Sequence, residues 1–189
     1  MKVGILAIGF LGVMGMTPLA VEAASFSEVY EFGDSLLDTG NLFGLTSGPL
    51  PPGSPPPAAV PFPGPPYPSA PYFNGRFSNG PMWQEYVEQG LGIASDPSTN
   101  FAFGGALSGV SHSQFSAPLG LRSQVTGFTT TVGSADPDAL YIISAGANDY
   151  GNPLVVTPQT ITDAVTNISA SIIDLASVGA SSFLVLNIP

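Results

Sequence analysis

Four short runs along the chain have the hydrophobic patterns of β-strands. Residues 28–32 alternate polar and apolar side chains, which is typical of a strand with one buried face. Residues 138–144 and 183–186 are nearly continuous apolar runs, which predicts two buried strands of a parallel sheet. Residues 100–103 form a shorter run that ends in two glycines, and they predict a fourth strand.

Helical periodicity appears between these runs. The clearest helix is capped by Thr157, opens with Pro158 and ends at Gly179. Its apolar residues repeat at helical spacing, at Ile161, Val165, Ile168, Ile172 and Leu175 or Ala176. Asn79 caps a second predicted helix, which has Pro81 in its first turn and Gly90 just past its end, and its buried face consists of Met82, Trp83, Tyr86 and Val87. A third, short amphipathic helix is indicated by Leu121, Val125 and Phe128.

Strands that alternate with helices predict an α/β fold with a parallel sheet. We therefore expect a three-layer α/β/α sandwich that is doubly wound. In such sheets, ligands bind at the carboxyl ends of the strands. Three of the four predicted strands end there in small or polar residues, at 33–35, 104–105 and 146–149.

These strand ends contain the residue types that acyl transfer requires. Ser35 directly follows a strand, where a serine hydroxyl is placed to attack a carbonyl carbon. The oxyanion formed by that attack needs hydrogen-bond donors, which a closely approaching glycine backbone or an asparagine amide provides. Gly105 and Asn148 follow two other strands. Each segment by itself is typical of an ordinary turn, but their joint placement favours a catalytic site.

Four ordered segments resemble the GDSL family of lipases and esterases, the SGNH hydrolases, in the secreted bacterial and plant-type long form. They are residues 32–41, 74–80, 100–106 and 146–150. The resemblance implies one SGNH domain over residues 24–189, with a flavodoxin-like parallel sheet. It also implies that Ser35 is the nucleophile and that the oxyanion hole consists of the Ser35 N–H, the Gly105 N–H and the Asn148 side chain. The implied reaction is hydrolysis of a small ester or a lipid through an acyl-serine intermediate, without metal or cofactor.

Other residues of these segments allow two interpretations. Asp34, Asp38 and Asn41 belong to the first segment as supporting residues. Asp34 and Asp38 could form an acid–base pair, but we favour carboxylates that accept backbone N–H groups and shape the turn. Arg76 either pairs with Asp34, Asp38 or a nearby carboxylate, which we favour, or meets an anionic group of the substrate.

The family places its general base in an Asp-x-x-His motif near the C-terminus, and this sequence has no such motif. Its one histidine, His112, lies in a Ser-rich stretch and is predicted to be a surface loop residue. We therefore expect the sequence to be a fragment, inactive or very weak alone, whose catalytic Asp and His lie beyond Pro189. The alternative is a non-catalytic SGNH-like protein that binds a ligand or has no function.

The charge balance excludes several classes of partner and site. The 189 residues include 3 Lys and Arg against 13 Asp and Glu, for a formal net charge of −10. So few cations cannot neutralise nucleic-acid phosphates or dock the protein on anionic lipid. The sequence has no cysteine, which excludes disulfides and thiolate metal sites.

Two segments of biased composition lie near the N-terminus. Lys2, an apolar run over residues 3–20 and a small-residue exit at Ala23 predict a secretory signal peptide over residues 1–23. Cleavage gives a secreted or periplasmic protein without stable membrane insertion, and the alternative is an uncleaved anchor. Residues 49–71 contain twelve prolines and predict an extended loop. This loop is a plain surface loop, a rim or lid over the site, or a segment that binds a partner.

Overall fold

The computed structural model describes residues 25–47, 66–114, 117–151 and 156–187. The predicted signal peptide lies outside these ranges, as does most of the proline-rich stretch 49–71. Within the described ranges, no helix combines the length and the apolar character needed to cross a bilayer.

The sheet contains three parallel strands in the order β1, β2, β3 among the described residues. They are β1 (Val29–Gly33), β2 (Leu140–Ser144) and β3 (Ser182–Val185). Residues 100–103 run beside β1 with a single bridge, between Asn100 and Glu31, and one further backbone bond from the Phe103 N–H to the Gly33 carbonyl, which is less than the full strand that the sequence predicts. With this segment included, the chain order across the sheet is 2-1-3-4, as in flavodoxin-like folds.

Five α-helices and one 3₁₀ turn surround the sheet in the described ranges. They are α1 (Asn41–Ser47), α2 (Trp83–Leu91), the 3₁₀ turn Pro97–Thr99, α3 (Leu121–Val132), α4 (Ala147–Gly151) and α5 (Pro158–Ser177). Thr157 caps α5 by accepting the Thr160 N–H, and Pro158 opens the helix, as predicted.

Side chains alternate between the two faces of the sheet and build two cores. On one face, Phe32, Tyr141 and Ile143 pack against α3 and α5. On the other face, Val29 and Ile142 pack with Leu37 and with the half-buried Trp83 of α2. Helices therefore cover both faces, which confirms the predicted three-layer α/β/α sandwich.

Helix α2 differs from the prediction in its bounds and in its buried face. It begins after Met82, whose backbone N–H is capped by Glu85 at 2.6 Å, and not after Asn79. Tyr86, predicted to be in the core, is 59% exposed, whereas Gln84 and Glu88 point inward. The reason is that this face of α2 meets polar groups: the Gln84 amide donates to the Leu37 carbonyl oxygen at 2.9 Å.

The predicted buried strand at 183–186 is present, but it is not fully buried. Leu184 and Val185 are 39% and 41% exposed because β3 is the edge strand of the described sheet. In α5, Leu175 is buried and Ile168 and Ile172 pack against the core, while Ile161 and Val165 are half exposed. Only the C-terminal half of this apolar stripe is covered in the described structure.

Candidate active site

The three predicted site residues follow strand ends that lie side by side. Gly33 is in register with Ser144, and the next residue, Asp34, donates its N–H to the Ser144 carbonyl at 3.1 Å. The Phe103 N–H donates to the Gly33 carbonyl at 3.0 Å. Ser35, Gly105 and Asn148 therefore all emerge at the same edge of the sheet, within four residues of these contacts.

Glycine is required where β1 turns toward the site. Gly33 has φ +151°, and a Cβ there would lie 1.9 Å from the Ser144 carbonyl oxygen. After it, the N–H groups of Leu37 and Asp38 donate to the Asp34 carbonyl, which closes a turn around Ser35. This turn leaves the Ser35 side chain half-buried at the end of the sheet.

Hydrogen-bond donors remain available at this edge. The N–H groups of Ser35 and Gly105 donate to no acceptor within the described ranges. Asn148 Nδ2 donates one hydrogen to the Ala106 carbonyl oxygen at 3.0 Å, and a primary amide has a second hydrogen to offer. Gly105 has φ +86°, a left-handed conformation, and a Cβ there would lie 2.6 Å from the His112 ring.

Asp38 connects the turn around Ser35 (residues 34–38, the serine turn) to the loop at residues 103–108 that contains Gly105 (the Gly105 loop). Its side chain is fully buried and accepts four backbone N–H groups at 2.7–3.2 Å, from Gly40, Asn41, Leu42 and Gly104. Burial raises the pKa of Asp38, and the four N–H donors oppose that rise. This geometry confirms the interpretation of Asp38 as a residue that shapes the turn.

Asp34 has fewer hydrogen-bond partners than Asp38. Its Oδ1 accepts the Leu36 N–H at 3.0 Å, which agrees with a turn-shaping role. Its Oδ2 is buried without a hydrogen-bond partner in the described structure. Burial raises the pKa of Asp34 to about 6, the Leu36 bond opposes the rise, and the nearby charge of Asp149 adds to it.

Asn41, the third supporting residue, joins α1 to the segment beside β1. Its Nδ2 donates to the carbonyl oxygens of Asn100 at 2.8 Å and Ala102 at 2.9 Å. Because Ala102 directly precedes the 103–105 turn, this contact fixes the approach to the Gly105 loop. Asn41 therefore holds the segment that leads into the loop containing Gly105.

The prediction for His112 is wrong. The residue is 5% exposed, and its Nε2 lies 2.5 Å from the Gly104 carbonyl oxygen. Its Nδ1 accepts the Gln114 N–H at 3.0 Å, so the neutral ring has its hydrogen on Nε2. Burial lowers the pKa of His112. Gly105 lacks a side chain, and the imidazole fills the space that this leaves, which its Ser-rich sequence context does not indicate.

Comparison with known proteins identifies the family. The sequence model described as GDSL-like Lipase/Acylhydrolase matches residues 29–189 of this chain. The chain belongs to the GDSL-like lipase/acylhydrolase family. This finding confirms the predicted resemblance.

Curated relatives of this GDSL chain include proteins with several printed functions. Thermolabile hemolysin of Vibrio parahaemolyticus is 28% identical over 175 residues, 90% of this chain and 35% of its own length. Phosphatidylcholine-sterol acyltransferase of Aeromonas hydrophila is 32% identical over 196 residues, covering 95% and 51%. A GDSL esterase/lipase of Arabidopsis thaliana is 31% identical over 199 residues, covering 85% and 49%. The chain thus spans between 35% and 51% of the length of these relatives.

In this GDSL chain, Arg76 has the structural contact that we favoured. Its guanidinium forms a two-pronged ion pair with Glu85, with Nη2–Oε1 at 2.6 Å and Nε–Oε2 at 2.8 Å. A third nitrogen donates to the Asn74 carbonyl. The pKa of Glu85 is lowered by this pair, and Glu85 in turn caps α2 at Met82.

Ser108 and Asp149 are two polar residues near the site to which the sequence assigns no role. Ser108 has no sequence signal, yet it bonds Asp149, which follows Asn148 in the 146–150 segment.

Among the described residues, no three His, Cys, Asp or Glu side chains converge in a way that could hold a metal ion.

Proposed function

We propose that this GDSL protein is a serine ester hydrolase in which Ser35 forms an acyl-enzyme. The main support is the set of open donors at one sheet edge: the Ser35 and Gly105 N–H groups and the second hydrogen of the Asn148 amide. Fixed donors aimed at a developing oxyanion are a large source of catalysis in acyl transfer. Membership of the GDSL family agrees with this chemistry.

The reaction has two steps in this proposal. Ser35 Oγ attacks the ester carbonyl carbon and gives its proton to a general base, and the three donors stabilise the oxyanion. The carbonyl then re-forms, and the carbon–oxygen bond to the alcohol breaks as the base returns the proton to the leaving oxygen. Water attacks the acyl-serine in the same way, releases the acid and restores Ser35.

The general base comes, in our proposal, from an Asp and a His beyond Pro189. The sequence contains one histidine, and both ring nitrogens of His112 bond backbone groups of the Gly104 and Gln114 peptides. A base must reach the Ser35 hydroxyl, and a ring held in this way is not directed there. The longer relatives provide polypeptide in which such residues can lie.

The proposed substrates are carboxylic esters, including lipid esters. The relatives are named as a hemolysin, a phosphatidylcholine-sterol acyltransferase and an esterase/lipase. Two of these names refer to lipid chemistry, and we extend that class to this chain. The proposed location is outside the cytoplasm, on the strength of the signal-like sequence at residues 1–23.

Hydrolysis of p-nitrophenyl butyrate tests the proposal in two proteins. One is residues 24–189, and the other is the product of the longest open reading frame of the source gene that contains them. We expect no Ser35-dependent hydrolysis by residues 24–189, and an acyl-enzyme burst from the longer product that the Ser35→Ala variant loses. Ser134→Ala, at an exposed serine remote in sequence from the site segments, is the matched control and keeps full activity.

Three outcomes would contradict parts of this proposal. Ser35-dependent hydrolysis by residues 24–189 alone would refute a base beyond Pro189 and return attention to His112. Hydrolysis by the longer product that survives Ser35→Ala would refute Ser35 as the nucleophile. An inactive product whose frame stops at Pro189 would favour the non-catalytic alternative.

A further inference from the structure

Asp149 follows the proposed oxyanion donor Asn148 in α4 and bonds the loop that contains Gly105. Its Oδ2 accepts the Ser108 N–H at 2.8 Å, and its Oδ1 accepts the Ser108 hydroxyl at 2.7 Å. Ser108 is fully buried, so water cannot replace either partner easily. The carboxylate therefore fixes α4 to the Gly105 loop through two charge-assisted hydrogen bonds.

Neighbouring contacts make this attachment specific. Asn148 Nδ2 donates to the Ala106 carbonyl, so two consecutive residues of α4 bond positions 106 and 108 of the same loop. From α5, Asn167 Nδ2 donates to the Ser108 hydroxyl oxygen at 3.1 Å. That hydroxyl thus accepts from Asn167 and donates to Asp149, which leaves it one orientation.

Helix α4 needs such an anchor. It contains five residues, and a helix of this length has little stability of its own. The direction of the Asn148 amide therefore depends on what holds α4. Oxyanion donors act within a narrow distance range of roughly 2.7–3.1 Å, so a small displacement of the amide removes its contribution.

The charge of Asp149 gives no direct help to an oxyanion. It lies close enough to the serine turn to raise the pKa of Asp34, and a negative group at that distance repels a developing negative charge. A carboxylate is nevertheless suited to this position because Ser108 presents two donors, and a carboxylate accepts both.

We propose that Asp149 is a positioning residue for ester hydrolysis, which through Ser108 holds the Asn148 amide and the Gly105 N–H in place for one shared oxyanion. This proposal rests on the proposed function. It assigns Asp149 a geometric role, which an amide side chain reproduces in part: an Asn oxygen still accepts the Ser108 N–H, whereas the Ser108 hydroxyl hydrogen loses its acceptor.

Steady-state kinetics of the protein that shows Ser35-dependent hydrolysis test this inference. We expect Asp149→Ala to lower kcat roughly 10- to 100-fold with KM nearly unchanged, since losing one oxyanion donor typically costs 10²–10³. Asp149→Asn recovers part of that loss, because it keeps the bond to the Ser108 N–H. Ser108→Ala, which keeps the backbone N–H bond and removes the hydroxyl bond, falls between them. Asp163→Ala, at an exposed carboxylate of α5, is the control and keeps the parental kcat.

A double-mutant cycle shows whether Asp149 acts through Asn148. If it does, Asp149→Ala lowers kcat by a smaller factor in the Asn148→Ala background than in the parent, because coupled residues are not additive, and the loss that remains reflects the displaced Gly105 N–H. A full second loss in the double variant, or an Asp149→Asn variant as slow as Asp149→Ala, would overturn the positioning role. Unchanged kcat in both Asp149→Ala and Ser108→Ala would overturn it too. Hydrolysis that is insensitive to Ser35→Ala would instead refute the proposed function itself.

Discussion

Two carboxylates near the turn after β1 are almost equally buried and are held in opposite ways. Asp38 has no exposed surface and accepts four backbone N–H groups. Glu31, in β1, is 2% exposed and bonds Asn100 through Oε2, while its Oε1 has no partner in the described structure. The charge of the Asp38 carboxylate is stabilised by the dipoles of four backbone N–H groups. The Glu31 carboxyl has one neutral donor, on one of its two oxygens.

The surroundings of Glu31 explain how it tolerates burial. It lines a cavity of about 170 Å³ together with Glu85 and Glu88. Arg76 is the cation in the described wall of this cavity, and it is paired with Glu85. Burial raises the pKa of Glu31 to about 8, and the charges of Glu88 and Glu85 add to the rise. A buried carboxyl group thus needs either several hydrogen-bond donors, as at Asp38, or a bound proton, as at Glu31.

The largest expected loss of stability is at Asp38. Asp38→Asn places an amide nitrogen against backbone N–H groups, so about half of the four donors lose their acceptor. We expect a loss of about 4 kcal/mol in the free energy of unfolding, since each unsatisfied buried donor costs roughly 1–3 kcal/mol. Urea denaturation at neutral pH measures this loss. Asp138→Asn, at an exposed carboxylate, serves as control, and a loss at Asp38 no larger than at Asp138 would contradict the comparison.

Glu31→Gln is expected to raise the free energy of unfolding, whereas Asp38→Asn lowers it. The folded pKa of about 8 lies above the unfolded value of 4.5, so the stability associated with protonated Glu31 is complete below pH 4.5 and is lost as the pH rises through about 8. The free-energy advantage of the glutamine variant over the parent is expected to be about 4 kcal/mol larger near pH 9 than near pH 5, because a rise of about 3.5 pKa units at 1.36 kcal/mol each amounts to about 5 kcal/mol, of which about 1 kcal/mol is already lost at pH 5.

Unfolding curves over this pH range, compared with Glu28→Gln, measure the effect. Glu28 precedes β1 and does not line the cavity, so Glu28→Gln controls for the removal of one carboxylate outside the cavity. Parallel curves for the parent and Glu31→Gln would show that Glu31 keeps no proton on folding.

The smallest expected effect is at Arg76. Arg76→Gln removes the partner of Glu85 and is expected to cost about 1–2 kcal/mol at neutral pH. Because Arg76 lowers the pKa of Glu85, this contribution is present above the unfolded value of 4.5 and is lost as the pH falls through the folded value. The cost should therefore shrink in acid, opposite to the trend at Glu31. A cost that grows as the pH falls would contradict this pairing.

Local signals predicted most of the fold. The period of the apolar residues placed β2, α3 and α5, and the Thr157–Pro158 cap placed the start of α5. The small and polar residues after three strands predicted that Ser35, Gly105 and Asn148 would share one sheet edge. That inference needed only the rule that parallel strands present their carboxyl ends together; the roles of these three residues remain proposals.

Other features depend on partners distant in sequence. Tyr86 has the hydrophobic character of a core residue, but the face of α2 that meets the sheet is fixed by Gln84 bonding Leu37, 47 positions away. His112 is in a polar stretch and is nevertheless buried, because Gly105 leaves the room that its ring fills and the Gly104 carbonyl accepts its hydrogen bond. The Gln84–Leu37 contact lies beyond the reach of a local pattern, and the burial of His112 depends on how its loop folds back on Gly105, which side-chain periodicity does not describe.

The sequence by itself determined the α/β class, the strand ends that meet and the chemistry that those ends offer. These follow from side-chain period, glycine and capping residues, which act over a few positions. Only the tertiary structure decided that Asp38 also accepts the Gly104 N–H, that Glu31 faces other carboxylates and that Asp149 holds Ser108. Hydrogen bonds and burial join residues 41 to 69 positions apart in these regions, and their energies exist only once the chain has brought them together.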